Sequence, residues 1–198
     1  MTNTNVSAVD FAGEVRASLR YLGGNMIKLD GLINHQVSIE FMAAAGVELA
    51  RRFREAGVQN ITKVVTAEAS GITPAFTTAQ ALDVPMIYAR KGKPATMTEA
   101  IHSVAVDSRT KGGSTELFLS GEYLTTGDRV VLVDDILGRG QVVVGLAEMI
   151  GQIGASLHGV GFIVEKCFEH GRPALEILSV PIVSLVKVDL LGDSVEVT

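Results

Sequence analysis

A single cysteine, Cys167, leaves no partner for an internal disulfide and suits a reducing compartment. No apolar run approaches the roughly 18 to 20 residues that a bilayer crossing requires. The segment Met1 to Val6 is polar, with no basic stretch leading into an apolar one, so a secretory signal is not expected. These absences predict a cytoplasmic chain without a membrane partner. Cationic excess is missing as well. The formal net charge is -5, which opposes nucleic-acid binding, because such binding needs clustered cations to displace counterions. A phosphorylated small molecule stays compatible with that balance, since backbone amides and a few local cations suffice to hold it. His102, His158 and His170 lack metal-ligand spacing, so no zinc site is expected. Cys167 has no histidine partner evident in the sequence, which argues against a catalytic thiol.

What is present is an ordinary globular balance, 47% hydrophobic and 20% charged over 198 residues, enough for one domain with a real core. Helical spacing at Ala8, Phe11, Ala12, Val15, Leu19 and Leu22 predicts a first helix, with Ser7 as N-cap and Gly23-Gly24 as the stop. A short extended piece, Met26 to Leu29, then leads into a loop at Asp30 to Gln36. A second helix is expected over 38–56, closed by Gly57. Strands and helices alternate from there. Strands are predicted at 61–66, 85–89, 129–133, 157–164 and 182–188, with helices after Pro74, over 141–150 and over 173–178. Between Gly92 and Asp128, glycines and hydroxyl residues break the pattern into short alternating pieces, which predicts a mobile loop or hairpin insertion. Val- and Ile-rich strands separated by helices indicate an α/β fold with a mostly parallel central sheet and flanking helices. In such sheets, ligands bind at the carboxyl ends of the strands.

The most informative segment is Val130 to Gln141, VVLVDDILGRGQ. A buried strand ends in Asp134 and Asp135, two apolar residues follow, and Gly138-Arg139-Gly140-Gln141 opens a helix. Paired carboxylates at a strand end suit the two hydroxyls of a ribose, or a magnesium ion held through water. The glycines let backbone amides approach a phosphate at a helix N-terminus. Gln141 offers a further donor, and Arg139 faces either solvent or the phosphate. No Gly-Lys-Ser/Thr follows, so this is not a Walker loop.

A hydrophobic strand, two acidic residues and a small-residue loop resemble the signature of the type I phosphoribosyltransferases. The likeness extends across nearly the whole chain and sharpens toward the bacterial xanthine-using members through LINHQ (32–36), EASGITP (68–74) and VEKCFEHGR (164–172). The resemblance implies the type I fold, with an N-terminal base-recognition hood over 1–37 and a lid over 92–128. It implies transfer of ribose 5-phosphate from phosphoribosyl pyrophosphate (PRPP) to a purine, with magnesium accompanying PRPP and a homodimer as the expected assembly. Asp134, Asp135 and Lys91 are the implied catalytic groups, and the carboxylate pair is the implied indirect metal contact. Gly138, Arg139, Gly140, Gln141 and Val142 match the stretch that contacts PRPP. Ala69, Ser70 and Gly71 match the loop that holds pyrophosphate, with Arg90 and Lys91 beside it.

Ile27 and Asn34 match positions that contact xanthine, and Lys166 matches the residue that recognises the oxo group. At Ile27 the relatives carry leucine. A lysine is donor-only and disfavours the amino group of adenine, whereas guanine and hypoxanthine present the same oxo group and remain alternatives. A PRPP-sensing purine regulator of the same fold is a further one, opposed by the acidic balance and the short segment before Asp30. Hypoxanthine-guanine enzymes carry a carboxylate base where this chain has Gly138, so no acid acts from that position and no general base is assigned.

Overall fold

The computed structural model of the chain describes residues 9–108, 113–192 and 194–198, with the side chains of 107, 108 and 113 left aside. Helix α1 (Phe11–Ser18) is followed by a small hairpin, β1 (Arg20–Gly23) and β2 (Met26–Lys28), and by one wide helical turn, Asp30–Asn34. Then come α2 (Ile39–Glu55), β3 (Lys63–Ala67), α3 (Ile72–Leu82), β4 (Met86–Lys91), β5 (Ile101–Ser108) and β6 (Gly113–Ser120). The chain continues through β7 (Arg129–Leu137), α4 (Gln141–Ile153), β8 (Ser156–Lys166), α5 (Gly171–Leu175), β9 (Ile182–Leu191) and β10 (Ser194–Val197).

Strand order in the main sheet is β10-β9-β8-β7-β3-β4-β6-β5. The inner pairs β9-β8, β8-β7, β7-β3 and β3-β4 are parallel, and antiparallel strands complete both edges. The expected mostly parallel sheet is therefore present. Its strands are apolar on both faces because both faces are covered. In β7, Val131 and Val133 enter the core shared with α2 and α3, whereas Val130 and Leu132 enter the one shared with α4. Gly159 and Gly161 of β8 leave room for the fully buried ring of Phe53; a Cβ at either would meet that ring at 3.0 or 2.8 Å. Burying such a side chain stabilises by about 1.5–3 kcal/mol.

Local signals set most boundaries. Ser38 Oγ accepts from Phe41 N to cap α2, and Gly57 beyond its end has φ +81. The first helix is a correction. It was expected to run to Leu22, but it stops at Ser18 and Leu22 lies in β1, 57% exposed. Positive φ at Gly23 and Gly24 turns the chain back, and pairing of Tyr21 with Ile27 supplies the backbone partners that a longer helix would have supplied. Asp10, not Ser7, caps α1, accepting from Gly13 N at 2.9 Å; Ser7 and Ala8 lie outside the described residues. The 92–128 insertion contains a long hairpin, β5-β6, folded back onto α4. A Cβ on Gly145 of α4 would meet Val106 at 2.7 Å, so the hairpin needs that glycine to sit so close. Residues 109–112 of the insertion lie outside the described residues. Strand β10 was not expected.

Adjacent strands β3 and β7 feed crossovers in opposite directions: α3 leads outward to β4 and α4 leads to β8. That reversal opens a crevice at their carboxyl ends.

Candidate active site

The crevice holds a cavity of about 370 Å³, and the sequence elements predicted for the phosphate and ribose converge on it. Asp134, Lys91 and the run Gly138 to Val142 all line it. Gly140 precedes α4 with φ +79, and a Cβ there would meet Leu175 at 2.9 Å, so conformation and space both favour glycine. No side chain caps α4. Its first amides and the positive end of its dipole therefore face the cavity without a side-chain partner and can take an anion. Arg139 and Gln141 are exposed at the rim. The opposite wall comes from Val106, Thr115 and Leu117 of the β5-β6 hairpin. Their contribution was invisible in sequence, because only the folded-back hairpin brings them there.

Asp134 and Asp135 are unequal. Asp134 is partly exposed and lines the cavity, while Asp135 is 7% exposed and is not among the lining residues. Asp134 Oδ1 accepts from Asp135 N at 2.9 Å. Burial and the adjacent Asp135 charge push the Asp134 carboxyl well above the ordinary aspartate value, and Lys91 pulls weakly the other way. A carboxyl held in that state gains from ligand hydroxyls that donate to it.

The loop after β3 meets Asp134 directly: a Cβ on Gly71 would collide with Asp134 Oδ1 and Thr66 Oγ1. Ala69 is exposed and Ser70 half-buried beside it, neither lining the cavity; the Glu68-Ala69 peptide is cis. Sequence reasoning passed over Glu68, although it belongs to a segment singled out there. Its Oε1 accepts from Lys91 N at 2.6 Å, and its Oε2 lies 2.7 Å from Arg90 Nε, an ion pair not aligned as a hydrogen bond. Glu68 therefore ties this loop to the strand that carries the cations. Arg90 and Lys91 part company. Lys91 lines the cavity, while Arg90 lies 5.7 Å from the centre of the Tyr88 ring and faces a different groove.

Ile27 and Lys166 line a second cavity of about 620 Å³ formed by the β1-β2 hairpin and the end of β8. Lys28 and Asp30 line it too, with their side chains paired at 3.1 Å. Asn34 is exposed in the wide turn and is not among the lining residues. Lys166 is not a solvated surface charge: its side chain is 14% exposed and its Nζ lies 3.3 Å from Glu169 Oε1. The segment that carries it is braced by another pair. Arg172 donates to both oxygens of Glu165, at 2.7 and 2.5 Å, and to the Ile182 carbonyl at 3.0 Å. Ser184 Oγ donates to Glu165 at 2.7 Å. Arg172 is thus a structural clamp, and no spacing rule signals it. Gly171 belongs to the same joint, since a Cβ there would collide with the Gly138 carbonyl. Burial pushes the Cys167 thiol up, and the Glu165 charge adds to this, which fits an unreactive cysteine.

Among the described residues no three His, Cys, Asp or Glu side chains gather into a metal cage. One cavity-facing carboxylate backed by a second would suit water-mediated contact with a magnesium ion, were one brought by a phosphorylated ligand. Nor is any described helix long and apolar enough to cross a membrane.

The phosphoribosyl transferase domain model matches residues 38–175. A xanthine phosphoribosyltransferase of Deinococcus deserti is 47% identical over 174 residues, covering 88% of this chain and 89% of that protein. One of Streptococcus agalactiae is 46% identical over 167 residues, covering 84% and 85%. Among solved structures, the adenine phosphoribosyltransferase of Thermoanaerobacter pseudethanolicus matches with a TM-score of 0.72 and 20% identity, over 89% of this chain and 99% of that one. That likeness speaks for the fold alone.

Proposed function

The chain belongs to the phosphoribosyl transferase family, and from that premise we propose that it converts xanthine and PRPP to xanthosine 5′-monophosphate and pyrophosphate. One observation carries the reading. A single cavity collects Asp134, Lys91 and an uncapped helix N-terminus at the sheet's reversal point, in a chain that is 45–47% identical to xanthine phosphoribosyltransferases.

In this reading, the amides of Gly138 to Val142 hold the 5′-phosphate against the α4 dipole. Asp134, with Asp135 behind it, accepts from the ribose hydroxyls and orients the sugar. Lys91 and the 69–71 loop receive the pyrophosphate as its bond to the anomeric carbon breaks. Magnesium bound to the pyrophosphate supplies charge neutralisation when present. The transition state has oxocarbenium character, so positioning and charge stabilisation dominate, and no protein acid at Gly138 is required. The hairpin wall excludes water, whose attack would hydrolyse PRPP. Ile27 and Lys166 hold the base in the cavity they line, with the lysine donating to its oxo group, and Asn34 reaches it from the turn whose first residue, Asp30, lines the same cavity. The chain acts as one domain in the cytoplasm, as a homodimer.

Incubation with PRPP, magnesium and one purine at a time, with pyrophosphate release as readout, tests this directly. Turnover is expected with xanthine and none with adenine. Release with adenine alone would overturn the assignment of the base. Binding of PRPP without release from any purine would point to the regulator.

A further inference from the structure

The VEKCFEHGR segment contains a buried carboxylate that the reading above leaves without a role. Glu169 closes the 3-10 turn Cys167–Glu169, and its side chain is 1% exposed. Its Oε1 lies 3.3 Å from Lys166 Nζ. The turn is held at both ends, because Glu165 before it and Arg172 after it are locked together and onto β9. Its geometry is therefore fixed by the fold. Lysine, by contrast, has a flexible four-carbon stem that loses rotamer entropy when a ligand immobilises it. A carboxylate at a fixed point beside its ammonium imposes that ordering before the ligand arrives. The ammonium has three donors, so engaging Glu169 leaves others for the cavity that Lys166 lines with Ile27.

We infer that Glu169 is a positioning residue for oxopurine recognition: it holds the Lys166 ammonium at the mouth of the Ile27-lined cavity, so that the lysine meets an oxo group and rejects an amino group. The inference rests on the reading of Lys166 as the contact to the purine. Glu169 itself, nearly excluded from solvent, does not touch the base.

The test compares wild type, Glu169→Gln, Glu169→Asp, Lys166→Met and the Lys166→Met/Glu169→Gln double variant, with KM for purine and for PRPP measured separately. Loss of a charge-assisted hydrogen bond predicts a purine KM raised about tenfold or more in Glu169→Gln. The KM for PRPP and the thermal midpoint should stay near wild type. Glu169→Asp should recover part of the loss, and Glu169→Gln should add nothing once Lys166 is methionine. An unchanged purine KM would overturn the inference. So would equal rises in both KM values with a fallen thermal midpoint, or full additivity in the double variant. A wild type that turns over guanine or hypoxanthine but not xanthine would sink the choice of base alone, and the same comparison would then be read with the purine that is used.

Discussion

Two neighbouring parallel strands, β7 and β8, both deliver acidic residues to the carboxyl edge of the sheet, in register such that Leu137 pairs with Glu165. Their fates differ. At β8, burial pushes Glu165 up, but hydrogen bonds from Arg172 and Ser184 outweigh it and leave the carboxyl below its ordinary value. At β7, burial and a like-charged neighbour act together, and Asp134 stands well above its ordinary value. The first charge is answered inside the protein; the second has a cavity in front of it. A strand-end carboxylate with a bidentate cation is architecture, and one beside its twin with a cavity in front of it is open to a ligand.

The largest effect that would sharpen this contrast is at the clamp. Arg172→Ala strands a buried carboxylate, and the expected loss is about 3–5 kcal/mol of stability in urea unfolding. A loss within 0.5 kcal/mol, roughly that of an ordinary surface change, would remove the distinction between the two strand ends. Next comes Asp134→Asn, with turnover expected to fall about 100- to 1,000-fold, the scale of losing one preorganised electrostatic contact. The thermal midpoint should hold or rise, because a carboxylate crowded by the neighbouring Asp135 charge is gone. Unchanged turnover and PRPP affinity would refute the ribose-binding role of this end.

The smallest effect is in the pH dependence of stability, where the two ends pull oppositely. Glu165, lowered in the native state, contributes stability above its ordinary value that is lost as pH falls through the native one. Asp134, raised in the native state, makes the folded protein bind more protons, so stability declines as pH rises from the ordinary aspartate value through the raised one. Asp134→Asn should flatten the upper arm of the pH-stability curve, and Arg172→Lys the acid arm. Denaturation midpoints across the acid-to-neutral range measure both.

The β7-loop-α4 unit was legible in sequence because strand burial, twin carboxylates, glycines and helix start lie within twelve successive residues, Val130 to Gln141. The first helix was overextended because Leu22 matches a helical period, yet nothing local announces that Tyr21 pairs with Ile27 instead. Arg172 had no role legible in sequence, since its partners Glu165 and Ser184 lie seven residues back and twelve ahead on two strands. Arg90 and Lys91 end on opposite faces because they are successive residues of β4, but which face meets the cavity depends on how the sheet is covered and not on the dipeptide.

The sequence alone determined the α/β class, the glycine loop ahead of α4 and the family, because periodicity, glycine placement and short motifs are properties of contiguous residues. Only the tertiary structure decided which carboxylate faces the cavity, which cation reaches it, and which buried charges are already matched. Those outcomes depend on partners brought together from distant strands, and a charge becomes functional or structural according to what the fold sets beside it.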